Sequence, residues 1–230
     1  MRERISVMRK NLDLVILIGI GLVFLSGWVF LEVADEVVEG EAQRWDELIM
    51  HLIGGRGDWD PVGPQWFEDL WRDITALGGV GITVLITVAA VLYFVLGGRW
   101  APAILVAATY AGAGVLTFWL KTLFARPRPE TMTDLARVAS ASFPSGHAMV
   151  SIVVYLTLGA LLASAESRLR FKLFFVFAAL SVAFLVGVSR VYLGVHYPTD
   201  ILAGWSLGLL WASLCWIIAR YHALRSRGLA

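Results

Sequence analysis

Six long runs of apolar residues divide the chain, and polar connections separate them. The runs are Leu14–Leu31, Val80–Leu96, Ala101–Leu120, Ala148–Ala165, Leu173–Ser189 and Ile201–Ala219. None of them contains a charged residue, and each approaches the roughly 20 residues that a helix needs to cross the hydrocarbon core of a bilayer. Lipid offers no hydrogen-bond partners to the backbone, and the runs are continuous instead of alternating. They therefore predict an all-α protein with six transmembrane helices and not a barrel.

Positive charge is concentrated on one side of this six-helix layout, which places both termini on the same side of the membrane. The termini and the second and fourth connections carry Arg2, Arg4, Arg9, Lys10, Arg99, Arg168, Arg170, Lys172, Arg220, Arg225 and Arg227. Because Lys and Arg are enriched on the cytoplasmic side, we expect cytoplasmic termini. The first run is too long for the apolar core of a secretory signal and a poor cleavage site follows it, which favours an uncleaved helix.

The segment between the first two runs is acidic and amphipathic. Two sets of apolar residues each share a helical face there, namely Trp45, Leu48, Ile49 and Leu52, and then Trp66, Phe67, Leu70, Trp71 and Ile74. Amphipathic helices of this kind are typical of the membrane surface. We therefore predict two helices in the outer interface, joined by a loop.

The composition agrees with an integral membrane protein. Of the 230 residues, 58% are hydrophobic and 16% are charged, and the mean hydropathy is +0.73. A soluble domain has about 45–50% apolar and about 25% charged residues. The length suits a single membrane domain over residues 1–230, and the net charge of +1 gives no field that would attract a nucleic acid. Cys215, the only cysteine, lies in an apolar run and is expected to be a buried, inert thiol.

The outward-facing third and fifth connections break the charge pattern. They carry Lys121, Arg126, Arg128, Arg137 and Arg190 on the side where cations are disfavoured. Lys121, Arg128 and Arg190 lie at predicted helix ends. Because an Arg fork and a Lys ammonium both suit phosphate oxygens, these three indicate an anion site.

Arg128 has a further local feature, since Pro127 and Pro129 flank it. Two prolines hold the segment stiff and extended, so that the Arg128 side chain would project from a fixed backbone. For Arg126 and Arg137, a place in the site and simple solvation are equally open interpretations.

The tetrapeptide Pro144-Ser145-Gly146-His147 directly precedes the fourth apolar run. Helix N-termini present free N–H groups and a partial positive charge, and glycine lets the backbone approach an anion closely. Ser145 and Gly146 therefore suit an oxyanion cradle with His147 beside it. The same four residues would also serve as a plain helix cap.

His196 and Asp200 are four residues apart where the last run begins. If the chain is turning into a helix there, both side chains lie on one face. A carboxylate at one imidazole nitrogen fixes the tautomer and raises the basicity of the other nitrogen, as a histidine nucleophile requires. The alternative is a structural pair that caps the last helix. Together, the three groups supply an electrostatic clamp, a nucleophile and a general acid, which is the equipment for phosphoryl transfer.

These residues resemble the three-part signature of the type 2 phosphatidic acid phosphatase (PAP2) superfamily of membrane lipid phosphatases. The parts are Lys121 to Arg128-Pro129, Pro144–His147, and Ser189-Arg190 to His196 and Asp200, so that the signature covers residues 121–200. The resemblance implies that His196 attacks phosphorus, that Asp200 holds His196, and that His147 protonates the departing oxygen. It also implies that Lys121, Arg128 and Arg190 bind the phosphate, with donors from Ser145 and Gly146, and that neither metal nor cofactor takes part.

The resemblance implies a lipid phosphate as substrate, at the outer face of a bacterial inner membrane. Family members act on undecaprenyl pyrophosphate, phosphatidylglycerophosphate, phosphatidic acid or the phosphates of lipid A, and no head-group residue selects among these. Transfer of the phosphoryl group to another lipid stays open.

A lipid or anion transporter is the alternative from another class of function. It would place ionisable residues within the spans, where the six runs have none. A structural protein would leave the outward cations unexplained. His51 and His222 lie elsewhere and are expected to be incidental.

Overall fold

The computed structural model describes residues 2–54, 59–129 and 141–225, with side chains from residue 16 onward, and this part of the chain is helical without a strand. The helices are α1 (Arg2–Glu39), α2 (Ala42–Gly54), α3 (Gln65–Ala76), α4 (Val80–Leu96), α5 (Trp100–Phe124), α6 (Gly146–Ala165), α7 (Leu169–Tyr192) and α8 (Pro198–Arg225). The predicted all-α class is confirmed. Arg137 and Arg227 lie outside the described residues.

Five helices are long and apolar enough to cross a membrane by themselves. They are α5, α6, α7, α8 and the Ile16–Glu39 part of α1. α4 has only 17 residues and passes the same test only together with α3, across a bend of 43°. The described residues therefore contain five spanning helices, or six if this bent pair is one span. The chain is thus a multi-pass membrane protein, and the predicted run Val80–Leu96 is present as the uninterrupted helix α4.

Most spanning helices extend beyond the apolar runs that predicted them. α5 continues to Phe124, so that Lys121 lies in its last turn, and α8 continues to Arg225. The runs mark only the charge-free part, whereas Lys and Arg can end a helix with their stems along apolar surface and their heads in water. Lys121, which was assigned to a connection, is therefore a helical residue.

The centre of the bundle is α6, which packs mainly against α7 and α8, while α1 packs against α8. Small residues permit the close approach of α8 to the start of α6. A Cβ atom at Gly204 would lie 2.6 Å from the carbonyl oxygen of Ser145 and 2.8 Å from Cβ of Ala148. Small residues at helix contacts are the usual way for membrane helices to approach closely. This contact brings the N-termini of α6 and α8 together.

The two predicted amphipathic helices are present as α2 and α3. In α2, the buried residues recur every four positions as Ala42, Asp46, Met50 and Gly54. The apolar set of the same helix is exposed, with Trp45 65% and Leu52 72% accessible. α2 thus turns its apolar face away from the bundle, as an interfacial helix requires. The face that it turns toward the bundle includes the carboxylate of Asp46.

Candidate active site

Four helix ends meet at one end of the bundle and carry the predicted site. α5 and α7 end there, and α6 and α8 begin there, with Ser145 N–H donating to the carbonyl of Asp200 at 3.0 Å. Ala125 ends α5 in the left-handed conformation at φ 45°, a common way to stop a helix. The backbone then leaves the helix axis and carries Arg126 and Arg128 toward the start of α8.

His196 and Asp200 form a buried hydrogen-bonded pair. His196 Nδ1 lies 3.2 Å from Oδ2 of Asp200, and the two side chains are 2% and 0% exposed. His196 is two residues before α8 and Asp200 is in its first turn, so the spacing of four places both on one side, as predicted. Because Nδ1 donates to the carboxylate, the lone pair of the neutral ring lies on Nε2.

The protonation state of His196 follows from its burial. Burial is the largest influence and lowers the pKa of His196 from 6.5 to about 4, although the hydrogen bond and charge of Asp200 act in the opposite direction. Desolvation disfavours the charged imidazolium. His196 is therefore neutral at neutral pH and has the free nitrogen lone pair that a nucleophile needs.

Arg128 lies beside the free nitrogen of His196. Its Nη1 atom is 3.5 Å from Nε2 of His196 and donates to the carbonyl of Val195 at 3.0 Å. Burial lowers the pKa of Arg128, with Asp200 opposing, but a guanidinium keeps its charge at neutral pH. A positive fork thus lies next to the atom that would attack phosphorus.

Arg190 and Lys121 complete a cluster of three cations. Arg190 Nη1 donates to Thr75 Oγ1 at 3.0 Å, and its Nε is buried without a hydrogen-bond partner. Lys121 Nζ donates to the carbonyls of Ala141 and Ser142. The charges of Arg128 and Arg190 both act on Lys121, so the three cations lie close enough to repel one another. Clustering of three cations is costly unless an anion is held among them.

Ser145 and Gly146 lie at the N-terminus of α6, where the sequence predicted an oxyanion cradle. Ser145 precedes the helix, and Gly146 is its first residue. The Ser145 N–H is already bonded to the Asp200 carbonyl, whereas its Oγ is buried without a partner. The donor that Ser145 can offer to an anion is therefore its hydroxyl and not its amide.

His147 belongs to the same site. It lies in the first turn of α6, and it interacts electrostatically with His196, Arg190, Arg128 and Lys121. Its other neighbour is the break between α3 and α4, where a Cβ atom at Gly78 would lie 3.4 Å from Cδ2 of His147. The bent pair thus forms a wall of the site.

The turn before His196 is shaped by Gly194 and Trp59. Gly194 has φ 68°, and a Cβ atom there would lie 2.6 Å from Cε2 of Trp59. Only glycine fits both the conformation and the space. Trp59 therefore packs directly on the turn that carries His196, and its Nε1 is buried without a partner.

The sequence analysis missed several residues that contact the site. Arg126, which was left open, forms ion pairs with Asp200 and with Asp46 of α2. Asp46 was counted among the acidic residues of the interface, and nothing in the composition distinguished it. The available signal was its position on the polar face of α2, four residues after Ala42 and four before Met50, since small and apolar residues at that spacing mark a contact face.

The remaining predicted residues lie apart from the site. His51 and His222 are exposed on α2 and on the last turn of α8, and Cys215 is half-buried in α8. Among the described residues, no group of three His, Cys, Asp or Glu side chains is placed to hold a metal ion.

Comparison with known proteins gives concordant matches. Residues 102–223 match the sequence model of the PAP2 superfamily. This stretch includes Lys121, Asp200 and the site residues between them. Over 152 residues, the chain is 35% identical to phosphatidylglycerophosphatase B of Bacillus subtilis, a match that covers 65% of this chain and 73% of the relative. An undecaprenyl-diphosphatase of Sulfolobus acidocaldarius is 43% identical over 67 residues, 29% of this chain and 28% of its own length.

A solved structure also resembles the whole bundle. The crystal structure of a transmembrane PAP2-type phosphatidylglycerolphosphate phosphatase from B. subtilis superposes with a TM-score of 0.71 at 31% identity. The superposition covers 86% of this chain and 93% of that chain. The likeness therefore extends well beyond residues 102–223, which the superfamily match covers.

Proposed function

The chain belongs to the PAP2 superfamily, and from this membership we propose that it is a lipid phosphate phosphatase that works through a phosphohistidine on His196. The bond that it hydrolyses is a phosphomonoester or a diphosphate on a membrane lipid. The reaction needs no metal, and the site faces the extracytoplasmic side of a bacterial inner membrane.

One observation carries the proposal. The nitrogen of His196 that is not bonded to Asp200 lies 3.5 Å from the guanidinium of Arg128. At the neighbouring ends of α6 and α7, the buried Ser145 Oγ and Arg190 Nε have no hydrogen-bond partner. Unpaired buried donors are costly, because each has lost its water. A phosphoryl group in front of His196 would satisfy the hydroxyl and the guanidinium and neutralise the cations.

In the first step, the lone pair on Nε2 of His196 attacks phosphorus. A nitrogen–phosphorus bond forms and the bond from phosphorus to the leaving oxygen breaks. Arg128, Arg190 and Lys121 stabilise the charge on the phosphoryl oxygens, which is where charge is concentrated in phosphoryl transfer. Once the anionic substrate offsets the neighbouring cations, His147 holds a proton and gives it to the leaving oxygen, so that the lipid departs as an alcohol or as a monophosphate.

In the second step, water attacks the phosphorus of the phosphohistidine. His147, which is now neutral, takes a proton from that water, and the nitrogen–phosphorus bond breaks. Inorganic phosphate leaves, and His147 is protonated again for the next turnover. Throughout both steps, the carboxylate of Asp200 holds Nδ1 of His196 and stabilises the charge that the ring gains on attack.

The membrane location supports a lipid substrate. The site lies at the ends of spanning helices, next to α2, whose exposed Trp45 and Leu52 suit the membrane interface. A lipid would keep its tail in the bilayer and present its phosphate there. Phosphatidylglycerophosphate is the first candidate, because the names of a relative and of a solved structure that cover 65% and 86% of this chain refer to this lipid. Undecaprenyl pyrophosphate, phosphatidic acid and lipid A follow.

The distribution of Lys and Arg supports an extracytoplasmic site. Arg99 precedes α5, Arg168 precedes α7, and Arg220 and Arg225 lie near the end of α8. All four lie at the helix ends opposite the site. Because the cytoplasmic ends of spans carry the excess of Lys and Arg, the site lies on the other side.

The test is phosphate release by the detergent-purified protein in buffer with EDTA. The panel is phosphatidylglycerophosphate, undecaprenyl pyrophosphate, phosphatidic acid and lipid A, with His196→Ala as the inactive variant. Release that is lost in His196→Ala supports the proposal and ranks the substrates. Activity that disappears in EDTA and returns with a divalent ion contradicts the metal-free reaction.

A silent panel from folded protein would contradict hydrolysis of these lipids. The same preparations, supplied with a radiolabelled phosphate donor and a second lipid as acceptor, then detect phosphoryl transfer. Label on the acceptor lipid would show that the protein is a phosphotransferase that uses the same nucleophile, and not a phosphatase.

A further inference from the structure

A chain of buried ion pairs connects the site to α2. Arg126 Nη1 lies 2.9 Å from Oδ1 of Asp200, and Arg126 Nη2 lies 2.8 Å from Oδ2 of Asp46. The side chain of Arg126 is 12% exposed, while those of Asp46 and Asp200 are 1% and 0% exposed. Two carboxylates therefore share one guanidinium away from bulk water. Buried charges are costly to desolvate and are tolerated only where their partners are well placed.

On one side, Arg126 determines how the carboxylate of Asp200 is turned. Oδ2 of Asp200 faces His196 and also accepts from Ser142 Oγ and from the N–H of Tyr197, the latter at 2.9 Å. Oδ1 accepts from Arg126. With donors on both oxygens, the carboxylate cannot rotate without breaking a hydrogen bond. The contact with Arg126 thus keeps Oδ2 directed at the imidazole.

On its other side, Arg126 is itself held in one place. Its guanidinium lies 4.3 Å from the ring centre of Tyr197, and Nη1 also donates to Thr199 Oγ1 at 2.9 Å. Asp46 accepts from the N–H and the hydroxyl of Thr199 at 3.0 and 2.5 Å. Asp46, Arg126 and the first turn of α8 therefore form a closed ring of hydrogen bonds, and α2 supplies one member of it.

We propose that Arg126 and Asp46 are positioning residues, which fix the carboxylate of Asp200 and through it the imidazole of His196. Asp46 makes the docking of α2 part of this arrangement, so that an amphipathic helix at the membrane surface contributes to a competent site. The inference rests on the roles proposed for His196 and Asp200.

The kinetic test compares Arg126→Lys and Asp46→Asn with Arg99→Lys. Arg99 is a matched control because its guanidinium also lies on aromatic rings, those of Tyr93 and Phe94, but at the opposite end of α5. Arg126→Lys keeps the charge and loses the fork, and a misplaced catalytic group costs up to about 10²-fold in rate. We expect kcat to fall by about that factor with KM within about twofold, a smaller loss of kcat for Asp46→Asn, and no change for Arg99→Lys.

The same substitution in the Asp200→Asn background separates positioning from a general structural role. If Arg126 acts through Asp200, then Arg126→Lys causes no further loss there, because residues that act as a unit are not additive. The proposal is overturned if Arg126→Lys lowers kcat in the Asp200→Asn background by as much as it does in the wild type. It is also overturned if the fall of kcat is fully explained by a smaller fraction of folded protein.

A second measurement does not depend on turnover. The proton on Nδ1 of His196 gives a downfield NMR signal, which is assigned by its absence in His196→Gln. We expect the signal to shift in Arg126→Lys and to stay in place in Arg99→Lys, and an unchanged signal in Arg126→Lys overturns the proposal. If the signal shifts in Arg126→Lys but the wild-type protein releases no phosphate from the lipid panel, the positioning role is supported and the proposed function is contradicted.

Discussion

Nη1 of Arg128 lies 3.5 Å from Nε2 of His196 and is held there by a hydrogen bond to the carbonyl of Val195 at 3.0 Å. The cation is thus fixed next to the proposed nucleophile by a backbone contact. A guanidinium can make this contact and still offer other N–H groups to a phosphoryl oxygen, since it carries five donors in a fixed fork. A lysine ammonium has the charge without the fork.

We therefore predict that Arg128→Lys lowers kcat/KM by roughly 10- to 100-fold, although the charge is conserved. Charge-assisted hydrogen bonds from a fixed fork contribute about 1.5–3 kcal/mol each, and the shorter, flexible Lys side chain cannot replace both contacts. The measurement is phosphate release at several substrate concentrations, with Arg72→Lys as the control, since Arg72 is exposed on α3 and pairs with Glu68. An unchanged kcat/KM would show that Arg128 does not bind phosphate.

The pH dependence should show the low pKa of His196. Burial lowers this pKa to about 4, and the charges of Arg190 and Arg128 act in the same direction while Asp200 opposes them. The reactive form is the neutral ring, so activity is retained as pH falls below 6.5 and is lost only as pH falls through the lower value. We predict that the acid limb of kcat/KM lies well below the ordinary histidine pKa of about 6.5.

The measurement for this prediction is kcat/KM between pH 4 and pH 8, together with circular dichroism at each pH to verify that the protein stays folded. His147 also interacts electrostatically with His196, so the profile of His147→Gln is needed to assign the limb. An acid limb near pH 6.5 in both proteins would mean that His196 is more hydrated than its 2% exposure indicates.

Much of this arrangement was accessible from sequence because its causes are local. Apolar runs predict spanning helices since length and composition suffice, and the spacing of His196 and Asp200 predicts their contact since one helical turn connects them. By contrast, Arg126 and Asp46 are 80 residues apart, and Arg190 and Thr75 are 115 residues apart. Neither helical periodicity nor local sequence preference can predict such contacts, because only the packing of α2 and α3 on the bundle brings these residues together.

The angle between α3 and α4 was not predicted, for a related reason. The apolar run from Val80 predicted a straight span, and the amphipathic stretch before it predicted an independent interfacial helix. Each prediction was locally sound. The bend of 43° that joins them depends on contacts of Thr75 and Gly78 with α6 and α7, which the sequence does not reveal.

Gly78 gives a direct test of that break. A Cβ atom there would lie 2.4 Å from Cγ1 of Val186 and 2.7 Å from Oγ of Ser151, close to His147. Gly78→Ala must therefore push the break away from α6 and α7, and forced overpacking costs about 1–3 kcal/mol. We expect lower thermal stability and a fall of kcat/KM by about tenfold or more, because a displaced wall moves His147.

The matched control for this prediction is Gly81→Ala, three residues further along, where an added Cβ atom meets nothing within 4 Å. Both variants replace glycine by alanine within three residues of each other, Gly78 in the break and Gly81 in the first turn of α4, and only Gly78 has close neighbours. Equal activities and equal melting temperatures in the two variants would show that the break is not packed against the site.

Ser145 allows binding to be distinguished from packing. Its Oγ is buried and has no hydrogen-bond partner. If this hydroxyl served only the fold, Ser145→Ala would remove an unsatisfied polar group, which is neutral or stabilising, and activity would not change. If it donates to the charged phosphoryl group, we expect kcat/KM to fall by roughly 10- to 100-fold, since a hydrogen bond to a charged group contributes about 1.5–3 kcal/mol, while the melting temperature stays level or rises.

Thr87→Val is the control for Ser145→Ala, because Thr87 Oγ1 is also buried without a partner but lies within α4, away from the cations. It should match Ser145→Ala in stability and match the wild type in activity. Loss of activity in Ser145→Ala together with loss of stability would instead mean that the hydroxyl holds the start of α6 in place. The hydroxyl binds the phosphate if kcat/KM falls in Ser145→Ala while its melting temperature stays level or rises, and if kcat/KM does not fall in Thr87→Val.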